Sequence, residues 1–225
     1  MAKDKTKQQV QQKGASIYWF WSELSSPLPS SKQRSWMQWM PPEKLGAKTQ
    51  EIRLLAYALC TYAVKEVFDI SIRGIDWKTG KNGKPYLSPY PEIDINLSHS
   101  GSVVACGVGM NEVGVDVQKM AKKPSDALIR RICTPDEQRW IEENYLCRAE
   151  RFTQLWALKE SYLKCTGNGL SESMNTFTCY VSQHGIVSDV EERYNFHIYQ
   201  LKPDYYAALC TEGKVVSEPK YVDLC

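Results

Sequence analysis

One stretch constrains the fold more than any other, Arg151-Phe-Thr-Gln-Leu-Trp-Ala-Leu-Lys-Glu-Ser-Tyr-Leu-Lys164. Phe152, Leu155, Trp156 and Leu163 recur at spacings of three, four and seven or eight, which puts them on one stripe of an α-helix. Glu160 and Lys164 are four apart and share a face beside that stripe, while Lys159 falls at its other edge. Thr166-Gly-Asn-Gly169 ends the helix, since glycine takes the left-handed cap conformation without strain. A Glu–Lys pair at this spacing is a common helix support and by itself implies no chemistry. Its meaning comes from the rest of the chain.

Strands are predicted over residues 17–21, 72–77, 93–97, 103–108 and 113–118, and β-rich segments over 176–181, 195–201 and 206–210. A helix is predicted over 43–68, with Ile52, Leu55, Leu59, Tyr62 and Val67 on its apolar face. Shorter helices are predicted over 124–133 and 134–145. The second opens with Thr134 and has Glu137 three residues later, the pattern of a capping box. The Asn-Gly pair before Lys84-Pro85 reads as a hairpin turn. Residues 22–35 are rich in Ser and Pro and read as loop, as do 211–225, and the Lys- and Gln-rich residues 1–14 read as a mobile tail. Strand, long helix, then strands occurs twice. The expected fold class is therefore α+β, with two pseudo-symmetric α+β halves, 15–110 and 111–225, and an active site in the cleft between them.

The chain of 225 residues can bury a substantial core. A net charge of +2 gives no case for nucleic-acid binding by bulk electrostatics. Eight scattered cysteines without a Cys-x-x-Cys pair, and only three histidines, argue against zinc. No stretch reaches the roughly 18 apolar residues of a membrane span. No signal-peptide pattern is present, so reduced thiols and a cytoplasmic location are expected.

The polar islands are Gly83-Lys-Pro85, Ser98-His99, Asp116 with Gln118, and Glu160 with Lys164. On a strand, Gly114, Asp116 and Gln118 share one face, and Val113, Val115 and Val117 the other. One carboxylate thus sits on an apolar strand and one beside an apolar helical stripe. Buried carboxylates need a cation, which Lys84, His99, Lys164 or a metal could supply. Two carboxylates with few histidines and no paired cysteines suit Mg²⁺, and lysines around such an ion suit a pyrophosphate. A Ser98–His99 nucleophilic dyad is disfavoured, because neighbours on an extended chain point to opposite sides.

With these residues in view, the chain resembles the 4′-phosphopantetheinyl transferases of the surfactin-synthetase-activating type. The likeness rests on Gly83-Lys-Pro85, Asn96-Leu-Ser-His-Ser-Gly101, Gly114-Val-Asp-Val-Gln-Lys119, Trp156-Ala-Leu-Lys-Glu-Ser-Tyr-Leu-Lys164 and Gly167-Asn-Gly-Leu170, in that order. The resemblance implies a monomer that binds coenzyme A in the cleft. Asp116 and Glu160 would bind Mg²⁺, with Gln118 standing where the family usually has Glu. Lys84, Pro85, Ser98, His99 and Lys159 would contact coenzyme A, and Lys164 would neutralise its pyrophosphate. Lys44, Lys48 and Arg53, with Lys32 and Arg34 behind them, are candidates for the nucleotide's 3′-phosphate. Glu160, or a water it holds, would deprotonate a serine of an acidic apo carrier protein, and 3′,5′-ADP would leave. The basic stretch Lys119, Lys122, Lys123, Arg130 and Arg131 would then be the dock for that carrier. Two other classes stay open: a catalytically silent coenzyme A or carrier-binding module, and a Mg²⁺-dependent coenzyme A hydrolase.

Overall fold

The computed structural model describes residues 16–46, 50–80, 83–120, 123–143, 147–167, 173–215 and 218–225. The layers run helix, sheet, sheet, helix. The first sheet joins β1 (Ser16–Glu23), β5 (Val103–Gly109) and β4 (Asp94–Ser100), with both pairings antiparallel. The second joins β6 (Val113–Lys119), β10 (Tyr205–Thr211) and β9 (Asn195–Lys202), again antiparallel. Their inner faces meet in one cluster that includes Ile17, Trp19, Val103, Ala105, Val115 and Leu209. Helix α2 (Glu51–Phe68) covers the outer face of the first sheet, and α5 (Arg148–Thr166) the outer face of the second. The central strands are buried on both faces, which is why they read as nearly continuous apolar runs.

Helix α2 begins later than the predicted residue 43. Pro42–Lys44 forms a 3-10 turn, after which Leu45 is extended. The helix stops at Asp69, whose φ of 59° is left-handed and whose N–H bonds the Lys65 carbonyl. The predicted loop over 22–35 contains a short helix, α1 (Ser30–Trp36). Its Ser- and Pro-rich start hid it, and a tertiary contact holds it: Gln33 donates to the Leu28 carbonyl and to Glu51 on α2. The predicted hairpin is present as β2 (Trp77–Thr79) and β3 (Pro85–Leu87). The short helices are α3 (Asp126–Ile132), capped by Ser125, and α4 (Pro135–Glu142), with the expected Thr134–Glu137 capping box. A second hairpin, β7 (Cys179–Ser182) with β8 (Gly185–Ser188), follows α5. All eight cysteines are free. No helix among the described residues is long and apolar enough to cross a membrane.

The chain's end departs from the expected loop. β11 (Lys214–Val215) and β12 (Lys220–Tyr221) pair parallel with β1, and Val222 N–H bonds the Trp21 carbonyl at 2.9 Å. This segment returns to the first sheet, so the expected second half does not keep its own last residues. Pairings of two residues are too short to display a strand period.

Two features place α5 and β6. A Cβ on Gly114 would lie 2.0 Å from the Ser161 carbonyl oxygen and 2.3 Å from the Cys165 nitrogen, so glycine alone lets the helix rest on the strand. Along its other edge β6 faces β4, and side chains replace a backbone ladder. The N–H groups of Val113, Val115, Val117 and Lys119 donate to Asp94 Oδ2 (2.7 Å), Asn96 Oδ1 (2.9 Å), Ser98 Oγ (3.3 Å) and Ser100 Oγ (3.0 Å). Two carbonyls of the same edge accept from lysines: Val113 from Lys84 Nζ (3.2 Å) and Val115 from Lys164 Nζ (3.3 Å). Every second residue on both strands takes part, which satisfies an edge that would otherwise bury unpaired polar groups.

Candidate functional site

The ladder delivers Asp116 to a point where three elements meet. Its carboxylate is 2% exposed. It accepts from Ser98 Oγ of β4 at 2.8 Å and from Lys164 Nζ of α5 at 2.5 Å, both on Oδ1, and from Gln118 Nε2 at 2.8 Å on Oδ2. Lys164 Nζ also donates to Ser98 Oγ at 3.0 Å. Asp116, Gln118, Ser98 and Lys164 therefore form one hydrogen-bonded group.

Glu160 lies one turn before Lys164 on the same helix face. It is half-buried and makes no hydrogen bond or ion pair among the described residues. Burial raises its carboxyl above the ordinary 4.5, the charge of Asp116 raises it further, and Lys164 pulls the other way. A half-buried carboxyl beside a second carboxylate is short of positive charge. The oxygen donors Asp116 and Glu160, with the Gln118 carbonyl after rotation of its amide, fit a hard divalent ion such as Mg²⁺. Gln118 now presents its N–H to Asp116, so its oxygen faces elsewhere. No group of three His, Cys, Asp or Glu capable of holding a metal occurs among the described residues, so the fit rests on the two carboxylates and an amide.

His99 follows Ser98 on extended β4 and therefore projects to the other face of the strand. Partial burial lowers its imidazole below the ordinary 6.5, the cations Lys164 and Arg53 lower it further, and Asp116 opposes them. Arg53 is thereby electrostatically joined to the site from the first turn of α2. Lys44 sits in the 3-10 turn before that helix, its ammonium without a hydrogen bond or ion pair among the described residues. Lys48, Lys122 and the Asn168-Gly-Leu170 part of the last motif lie outside the described residues. Lys32 is held by the chain's end, donating to the Leu224 carbonyl at 2.9 Å.

Lys84 reaches the site's edge but is already engaged. Its ammonium pairs with Asp94 at 2.7 Å and donates to the carbonyls of Val113 and Cys165, the latter in the last turn of α5. A cavity of about 200 Å³ opens here, lined by Gly83, Pro85, Asn96, Leu97, Leu163 and Lys164 among others. Two larger surface hollows, one against Trp140 and Tyr180 and one between β8 and β9, hold none of the predicted site residues. Chemistry, not volume, marks the site.

Lys159 corrects the sequence reading. It is fully buried on the far side of α5, paired with Glu137 at 2.8 Å and donating to the carbonyls of Met174 and Phe177. Glu137 also accepts from the N–H groups of Thr134 and Cys179. Adjacent helix positions differ by about 100°, so Lys159 cannot face the same cleft as Glu160 and does not contact a ligand there. Sequence reasoning missed Glu137 as its partner. It also ended the strand at residue 97 and left Ser98 and Ser100 in a polar loop, whereas β4 runs from Asp94 to Ser100, and the period of two through Asp94, Asn96, Ser98 and Ser100 was the available signal for the ladder.

An α+β protein with two carboxylates and two lysines gathered along one strand edge is the class that fold and site define. The comparisons make the identity specific. The family model of the 4′-phosphopantetheinyl transferase superfamily matches residues 112–210, the part that holds β6, α5 and β10. The 4′-phosphopantetheinyl transferase psf-1 of Bacillus pumilus is 32% identical over 178 residues, covering 76% of each chain. A 4′-phosphopantetheinyl transferase of Bacillus subtilis is 28% identical over 162 residues, covering 70% of this chain and 72% of its own. The Sfp transferase of Bacillus subtilis strain 168 is 24% identical over 198 residues, covering 83% of this chain and 88% of its own. The chain belongs to the 4′-phosphopantetheinyl transferase family, and its enzyme class is that of the family.

Proposed function

We propose that this enzyme transfers the 4′-phosphopantetheine group of coenzyme A to a serine of an acidic apo carrier protein, requires Mg²⁺ and releases 3′,5′-ADP. It would work as a cytoplasmic monomer, in a cleft between halves 15–110 and 111–225, with the terminal strands strapped back onto the first half. The observation that carries the reading is the Asp116–Ser98–Lys164 group beside a Glu160 carboxylate that has no partner among the described residues.

In the proposed reaction the serine oxygen of the carrier forms a new bond to the phosphorus attached to pantetheine. The bond from that phosphorus to the bridging pyrophosphate oxygen breaks, and 3′,5′-ADP leaves with the electron pair. Such in-line transfer needs charge neutralisation and a placed nucleophile rather than a covalent enzyme intermediate. Asp116, Glu160 and the Gln118 carbonyl would hold Mg²⁺, which when bound supplies charge neutralisation on the pyrophosphate oxygens. Lys164 would turn part of its ammonium from Asp116 to those oxygens. Ser98, which already bridges Lys164 and Asp116, would keep both in place. Glu160, whose carboxyl holds its proton more tightly than usual, would accept the serine proton directly or through water. Arg53 and the neutral His99 would meet the nucleotide's phosphates, with Lys44 and Lys48 as further candidates for the 3′-phosphate. Lys84 and Pro85 would line the nucleotide's seat, Lys84 more as a brace than as a free cation.

Incubation with coenzyme A, Mg²⁺ and an apo carrier, followed by mass spectrometry, tests this. A carrier heavier by one phosphopantetheine is expected. An unmodified carrier with coenzyme A intact would favour a silent binding module, and free phosphopantetheine would favour hydrolysis.

A further inference from the structure

The hollow between β8 and β9 lies apart from the Asp116 group, and strand edges wall it. β9 pairs with β10 alone, and β8 with β7 alone, among the described residues. Asn195, Phe196, His197, Ile198 and Tyr199 line the hollow in unbroken succession. Phe196 and Ile198 pack on the side of α5, whereas Tyr199 packs on the inner cluster between the sheets. A hollow over one face of a strand would meet alternate residues only, so this one runs along the edge of β9. In an antiparallel pair every second residue directs its N–H and C=O away from its partner. Those groups of β9 have no hydrogen-bond partner among the described residues. A free strand edge is a template for pairing with another chain, and proteins commonly blunt it with charge or proline. Between Phe196 and Leu201 β9 carries neither.

The chemistry of the hollow is one-sided. It holds about 610 Å³, and Val181, Ile186 and Val190, on and beside the β7–β8 hairpin, supply apolar wall. Glu191 and Glu192 line the end at which β9 begins, and no Lys or Arg lines any part of it. Arg193 neutralises Glu191, but Glu192 is exposed without an ion pair among the described residues. Burial lowers the His197 imidazole below the ordinary 6.5, so that ring brings no positive charge at neutral pH.

We propose that the edge of β9 is a docking site for an extended segment of a partner protein, with alternating apolar side chains and a Lys or Arg cluster at its C-terminal end. The segment adds to the second sheet as a further strand, as peptides do on other exposed sheet edges. Antiparallel pairing is slightly the stronger kind, and it brings the segment's C-terminal end to Glu192 at the start of β9. Its apolar side chains cover Ile186 and Val190. The stretch from Asn195 to Tyr199 spans about 16 Å, so about five residues of the partner fill it.

The test uses the full chain and a synthetic peptide about eight residues long, alternating Val and Thr and ending in Lys-Lys, beside a control ending in Glu-Glu. Binding is measured by calorimetry, and hydrogen exchange of the β9 amides by NMR. The Lys-ended peptide should bind with a dissociation constant below about 1 mM. Every second amide from Asn195 to Tyr199 should exchange more slowly in the complex. The Glu-ended peptide should bind about tenfold more weakly at low salt, and Glu192→Lys should reverse the preference at an unchanged melting temperature. No binding of the Lys-ended peptide, or binding without protection on β9, would overturn the proposal. Equal affinities for the two peptides would overturn the stated chemistry of the partner. Alternate β9 amides already protected in dilute free protein would give the edge to the chain's own residues. Protection that grows with protein concentration would give it to a second copy, and either result overturns docking of a partner. β10 separates β9 from the strand that bears Asp116, so failure here leaves the transferase reading untouched.

Discussion

Glu160 is set apart from Asp116, Asp94 and Glu137 because each of those accepts from a cation and at least one other donor, while Glu160 accepts from none among the described residues. Its folded-state proton affinity is raised by burial and by Asp116. A carboxyl raised in the folded state binds more proton there than in the unfolded chain, so its contribution to stability is present at low pH and is lost as pH rises from about the ordinary Glu value upward. In chelator-treated protein, Glu160→Gln should therefore gain stability relative to wild type as pH rises above the ordinary Glu value of 4.5, in urea titrations. A stability difference that is flat with pH would remove the electrostatic account of Glu160. The same variant should lose carrier modification by about a hundredfold or more while still binding coenzyme A, as expected on loss of a proton acceptor and charge ligand. Gln118 extends the argument. Its amide donates to Asp116 and offers no charge to a metal. Gln118→Glu should tighten Mg²⁺ binding to the free enzyme, measured by calorimetry with and without coenzyme A, and an unchanged affinity would mean that the side chain does not face the ion. Asp116, Glu160 and Lys164 stand out in the sequence against an apolar period, whereas Ser98 lies past the predicted strand over 93–97 and joins them because β4 runs on to Ser100. Lys159 was not legible, because a lysine beside an apolar stripe reads as surface, and its acceptors lie 15 to 22 residues away along the chain.

The meeting of α5 with β6 sets the geometry of the site, and Gly114 is its closest point. Gly114→Ala places a Cβ 2.0 Å from a carbonyl oxygen, so the helix must move. The expected cost is about 1–3 kcal/mol, with transfer activity per folded molecule falling as well, because Lys164 and Asp116 are displaced from each other. Normal activity at reduced melting temperature would mean the strand yields and the helix does not. The Lys159–Glu137 pair holds the opposite side of the helix. Lys159→Met should cost about 3–5 kcal/mol by leaving Glu137 buried without its cation. The double change Lys159→Met with Glu137→Met should recover much of that loss in a urea melt. Helix α5 was legible as a helix, but only one of its two buried sides was. The sequence shows a stripe of large residues, and the second side, which rests on β6, is made of Ala157, Leu158, Ser161 and Cys165, too small and too polar to read as an apolar stripe. The terminal strands were illegible for a related reason: their partner is β1, nearly the whole chain away, and a two-residue pairing leaves no pattern.

Over the whole molecule, charge is nearly balanced at +2, so any electrostatic guidance of a partner must come from a patch. Several cations are neutralised by ion pairs: Arg148 by Asp126 and Glu142, Lys119 by Asp204, Lys202 by Glu23. Lys123, Arg130 and Arg131 differ, being exposed and without an ion pair among the described residues. They lie on and just before α3, directly after the strand that bears Asp116 and Gln118. On the proposed reading they would attract an acidic carrier toward the cleft without touching coenzyme A. The double charge reversal Arg130→Glu with Arg131→Glu should raise the apparent KM for an acidic carrier about tenfold at low salt. It should leave coenzyme A affinity and melting temperature close to wild type, because neither side chain supports the core. The gap between variant and wild type should narrow as salt rises, since exposed charges are screened over about 8–10 Å near physiological ionic strength. A defect that persists at high salt would assign the arginines to direct contacts within the complex. An unchanged KM at every salt concentration would place the carrier on another face of the molecule.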